Sequence, residues 1–72
     1  MLKDAKRWLR DRKLPLVGFV LFFDGDPFGW ERSSPDPSRV VPGAVALSLA
    51  DGRSMIADGG TALRGAMQWI CA

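Results

Sequence analysis

The spacing of apolar residues along this chain changes period several times, and each change marks an element. Over residues 2–13, LKDAKRWLRDRK, the apolar positions Leu2, Ala5, Trp8 and Leu9 recur three and four apart, the repeat of one helix face. Most residues between them are good helix formers. Pro15 biases Leu14 toward extended backbone, so the pattern predicts a helix that stops near Lys13. Residues 16–23, LVGFVLFF, are apolar without a break. That run is short for a helix and rich in β-branched and aromatic side chains, which predicts a strand apolar on both faces and central in a sheet.

Asp24-Gly25 is a hairpin dipeptide. A reversal there lets FGWER, 28–32, return as a short strand, with Phe28, Trp30 and Arg32 on one face and Gly29 and Glu31 on the other. Without it, 24–43 would be a structureless loop of a length uncommon in compact domains. The prolines of SSPDPSRVVPG exclude a long element, but Asp36-Pro37 can cap and begin a single helical turn over 37–40. Residues 44–50, AVALSLA, alternate: Val45, Leu47 and Leu49 share one face, Ala44, Ala46 and Ser48 the other. Asp51-Gly52 and then RSMIA complete the strongest hairpin signal in the chain. Asp58-Gly59-Gly60 ends that strand. Thr61 is placed to cap a last helix over 62–71, with Leu63, Ala66, Met67 and Ile70 as its apolar stripe and Trp69 beside it.

These elements predict an α+β fold: a small antiparallel sheet of three to four strands with an N-terminal and a C-terminal helix packed on one face, in the order α-β-β-β-β-α. Both helical stripes would then share one core, and the opposite face of the sheet would be left for partners. With 72 residues, 1–72 is read as a single small domain.

Composition narrows the class. Apolar residues make up 47% and charged residues 25%, which argues for a globular chain. The single cysteine, Cys71, allows no internal disulfide and points to a reducing compartment, read as the cytoplasm. A small core without a staple gains from pairing with a copy or partner. The run LPLVGFVLFF has the length of a signal-peptide core and is too short to span a bilayer. No small-x-small site follows it, and Asp4 and Asp11 dilute the positive start, so neither a leader nor a membrane anchor is expected.

Charge is distributed unevenly. Residues 1–13 carry six cations and two acids, while the remainder carries four arginines and six acids. Lys3, Lys6, Arg7, Arg10 and Lys13 fall at offsets of three, four and seven, forming one basic stripe on the first helix. Arg7 and Asp11 are spaced to pair. Such a stripe suits phosphates or an acidic protein surface.

Catalytic and metal chemistry find little support. DGDPFG resembles the start of an EF-hand loop, but Phe28 and Pro35 stand where ligands are needed. Histidine and tyrosine are absent, so a serine or cysteine nucleophile lacks its usual base. ADGGTA precedes the last element without the lysine of a phosphate-binding loop. No catalytic residue, metal or cofactor is assigned. Phe28 and Trp30, flanked by Asp26, Glu31 and Arg32 on a proline-stiffened loop, have the composition of a protein-binding hot spot. The favoured reading is a non-enzymatic protein-binding module, an inhibitor or adaptor, with the basic helix and the aromatic-acidic loop as its contacts. Two alternatives stand beside it: a nucleic-acid-binding accessory protein acting through the helix, and a self-associating structural protein or homodimer with Trp8 or Trp69 between copies. In size, in lacking a disulfide and in lacking a catalytic set, the chain resembles the small phage-encoded proteins that bind and block host machinery, anti-CRISPR proteins among them. That resemblance transfers no residue role.

Overall fold

The helical period at the N-terminus is realised in the computed structural model, which describes residues 2–71. Helix α1 spans Leu2–Asp11. It ends as the sequence implies, through a left-handed residue: Lys13 has φ 56°. The Lys13 amide donates to the Arg10 carbonyl at 3.1 Å and the Leu14 amide to the Leu9 carbonyl at 2.9 Å, the Schellman arrangement that satisfies a helix's last carbonyls. Leu14 and Leu9 then pack in the same apolar cluster.

Five strands follow: β1 (Phe19–Phe23), β2 (Asp26–Glu31), β3 (Val45–Ser48), β4 (Ser54–Asp58) and β5 (Gln68–Cys71). They form one sheet in the order β2-β1-β3-β4-β5, antiparallel at every pairing. Asp24 and Gly25 both have positive φ, 53° and 87°, as a two-residue turn of the twist-matched kind requires. A single 3-10 turn, Pro37–Arg39, interrupts the β2–β3 connection where Asp36-Pro37 placed it, and the Asp36 side chain accepts from the Ser38 amide.

The expected α-β-β-β-β-α layout is overturned. No C-terminal helix is present among the described residues; 62–71 forms a tight turn and then β5, so the sheet has five strands rather than three or four and one helix rather than two. The Thr61 hydroxyl does accept from the Arg64 amide at 3.0 Å, as a cap would. The turn nevertheless closes at once, with Thr61 bridged to Gly65. Gly65 sits at φ 87°, outside helical geometry, and a β-carbon there would collide with the Ser38 carbonyl. The run AMQWIC is short enough to satisfy either period, and pairing with β4 decides it.

The sheet carries a core on each face. On one side Val20, Phe22 and Leu47 pack against Ala5 and Leu9 of α1. On the other, Leu21, Ala44, Ala46 and Ala57 pack against Val40 and Ala66, with Met55 and Trp69 beside them. That second face is covered by the irregular connections 32–44 and 59–67, not left bare. Leu9, Val20 and Leu47 are the largest fully buried side chains, each stabilising the fold by about 1.5–3 kcal/mol.

Candidate protein-binding surface

The expected contact residues divide between two separate places. Lys3, Lys6, Arg7, Arg10 and Lys13 are all exposed on α1 and its cap. Arg53–Asp51, at 3.9 Å, is the ion pair found among the described residues, so the Arg7–Asp11 pair read from spacing is not formed and the stripe keeps its charge. Arg12, which is not part of the stripe, stacks on Trp8, 4.3 Å from the ring centroid, a cation–π contact.

The aromatic loop is split by a bulge. Leu21 pairs with Gly29 but Phe22 with Pro27, leaving Phe28 as the extra residue. The expectation that Phe28, Trp30 and Arg32 share one face therefore fails. Trp30, opposite Val20, packs against the α1 cluster, and its indole N–H donates to the Val17 carbonyl at 2.7 Å. Arg32 lies 5.6 Å from the Trp30 ring centroid, and Glu31 is half-buried beside it in the strand. Trp30 thus serves the core rather than offering a free anchor.

Phe28 is redirected to a shallow cleft of about 430 Å³ lined by Phe23, Asp26, Phe28, Arg39, Val40 and Val41. Phe23 is 46% exposed and Phe28 52%. The cleft has an aromatic floor with a carboxylate from β2 and a guanidinium from the 3-10 turn among its walls. Phe23, Arg39 and Val41 were not among the residues singled out from sequence. The signal available was Phe22-Phe23 abutting the turn; nothing local tied Arg39–Val41 to them. The wall that carries Arg39 is fixed by Asp36, whose carboxylate accepts from the Ser38 amide at 3.0 Å and the Ser38 hydroxyl at 2.8 Å. Those bonds hold its pKa below the usual aspartate value.

A second cleft, about 730 Å³, lies at the other end of the sheet, with Phe19, Ser34, Ser48, Arg53, Met55 and Cys71 among its lining residues. The Cys71 thiol is exposed. Asp51, also on this cleft, has its pKa lowered chiefly by the Arg53 amide that it accepts from. No group of three or more histidine, cysteine, aspartate or glutamate side chains is placed to hold a metal among the described residues. No helix among the described residues is long and apolar enough to cross a membrane.

The class these features define is a small α+β protein, one helix on a five-stranded antiparallel sheet, bearing a basic helix face and an aromatic cleft. No protein-family model, curated protein or solved structure matches the chain.

Proposed function

We propose that the protein is a non-enzymatic protein-binding module, an inhibitor or adaptor, whose principal contact is the Phe23–Phe28 cleft. The observation that carries this reading is the pairing of two half-exposed phenylalanines in one cleft. Aromatic side chains that can be desolvated by a partner are the usual energetic centre of a protein interface. Asp26 and Arg39 at the cleft supply a charge of each sign to orient that partner. Stiffening by Pro27, Pro37 and the Asp36 cap reduces the ordering cost on binding. The test is affinity capture from a host lysate by the tagged protein and by Phe28→Ser, with circular dichroism confirming that both are folded. A genuine partner is retained about 10-fold or more weakly by the variant; equal retention removes the cleft from the interface.

A second reading is favoured by the unpaired charge on α1. Five exposed cations on α1 and its cap, none in an ion pair among the described residues, suit a polyanion. Reversal of Lys6, Arg7 and Arg10 to glutamate then abolishes a gel shift that weakens steeply with salt. No shift of DNA or RNA at low salt would remove this alternative.

A further inference from the structure

The two edges of the sheet are finished differently. The outer edge belongs to β2 on one side and β5 on the other. β2 carries Pro27, a bulge at Phe28 and the acids Asp26 and Glu31, the devices that keep a sheet edge from pairing with another chain. β5 reads Gln68-Trp69-Ile70-Cys71, with no proline, bulge or charge. Its backbone makes no hydrogen bond beyond the β4 ladder among the described residues.

The core leads to that edge. Phe22 pairs with Val45, Val45 with Ile56 and Ile56 with Ile70, and residues opposite one another in an antiparallel sheet project from the same face. One apolar row therefore crosses four strands on the helix side. Phe22 and Val45 lie in the cluster that packs on α1. Ile56 lies outside that cluster, and Ile70, at the edge, is 43% exposed.

We infer that β5 is a self-association edge, and that a second copy of this chain pairs antiparallel to it to form a continuous ten-stranded sheet. A twofold axis normal to the sheet requires that residues meeting across it share a face. Centring it on Ile70 satisfies this, and the row continues as Ile56, Ile70, then Ile70 and Ile56 of the second copy. Charge favours the same choice of edge and occupant. β5 against β5 brings no like charges together, whereas β2 against β2 would gather Asp26 and Glu31 of both copies. The basic helix packs over β1 and β3, so joining at β5 keeps the two stripes away from the junction.

The test is sedimentation equilibrium of the full chain in reducing buffer, which excludes a Cys71 disulfide. The wild type should show a reversible monomer–dimer equilibrium. Ile70→Lys, which places two like charges opposite one another at the twofold, should raise the dimer dissociation constant at least tenfold. Ser33→Lys, exposed just beyond β2, should leave it unchanged. Protection of the 68–71 amides from hydrogen exchange should rise with protein concentration in the wild type and not in Ile70→Lys; this readout holds even if the lysine lowers stability. A wild type that stays monomeric at millimolar concentration overturns the inference, as does a dimer indifferent to Ile70→Lys. So does a monomer whose 68–71 amides become protected only when a different protein is added.

Discussion

On the helix side the core is made of large side chains; on the other side it is made mostly of alanine. Leu9, Val20, Phe22 and Leu47 meet under α1 with two tryptophans at their margin. Ala44, Ala46, Ala57 and Ala66 form the opposite core together with Leu21 and Val40. The difference follows from what covers each face. A helix stands off from a sheet and needs long side chains to fill the gap. The connections 32–44 and 59–67 lie directly on the strands, and small residues let their backbones approach. Backbone hydrogen bonds tie the two connections to each other: the Ala66 amide reaches the Pro37 and Val40 carbonyls at 3.0 and 2.9 Å. One face is therefore held chiefly by apolar burial, the other by burial together with a set of polar backbone contacts that tolerate no added bulk.

The largest effect is expected on the helix face. Leu9 is fully buried, and Leu9→Ala removes both its transfer free energy and the packing around it, costing about 2–5 kcal/mol. Urea denaturation should report that loss as a lower midpoint with an unchanged slope. A cost below about 1 kcal/mol would mean that α1 is not a principal cover of the sheet.

The corresponding break on the other face is made by adding an atom rather than removing several. Gly65 has φ 87° and faces the Ser38 carbonyl. Gly65→Ala imposes a left-handed alanine and a collision with backbone, together costing about 2–3 kcal/mol. Hydrogen exchange should show the damage in 36–44 and 59–67 before it reaches α1. Uniform loss across both faces would contradict the separation drawn between them.

This contrast also explains what the sequence could reveal. The helix face was legible because its signals are periodic and local: Leu2, Ala5, Trp8 and Leu9 for α1, the alternation of Val45 and Leu47, and Asp24-Gly25 and Asp51-Gly52 for the turns. The alanine face was not, because an irregular cover has no period. The helix expected over 62–71 was an error of that kind. Leu63, Ala66, Met67 and Ile70 do recur at helical spacing, yet the fold buries Ala66 and leaves Leu63 94% and Met67 77% exposed. Gly65 lies against the Ser38 carbonyl, a contact between residues distant in sequence that no local pattern announces. The site was legible to a similar extent. The basic stripe is a local pattern and is exposed as read. Phe28 and Trp30 were parted by a one-residue bulge, which reverses side-chain direction and leaves no mark in the sequence of β2.

A smaller effect compares the two tryptophans that fasten these covers. Trp30 donates to the Val17 carbonyl at 2.7 Å, in the α1–β1 connection, and Trp69 to the Pro35 carbonyl at 2.8 Å, in the β2–β3 connection. Trp69→Phe keeps most of the apolar contact, leaves the carbonyl of buried Pro35 without its donor and should cost about 1 kcal/mol. Trp30→Phe should cost less, because the Trp30 bond is exposed to water that can replace it. Equal costs would show that burial does not separate the two anchors.

The smallest effect is a gain, and it bears on the basic stripe as well as on the helix face. Lys13 occupies the left-handed position that ends α1, where glycine carries no β-carbon penalty. Lys13→Gly relieves a left-handed cost of about 1–2 kcal/mol against about 0.4–1 kcal/mol of added unfolded-chain entropy, a net gain of about 0.5–1 kcal/mol read as a higher urea midpoint. The same substitution removes one of the five cations. If α1 contacts a polyanion, affinity should fall and the logarithmic salt slope should shrink by roughly one contact even as stability rises. If the stripe is only a solvated face, stability should rise with no change in any binding measured. The stability and binding measurements on this one substitution together separate a polyanion contact at Lys13 from a solvated helix end.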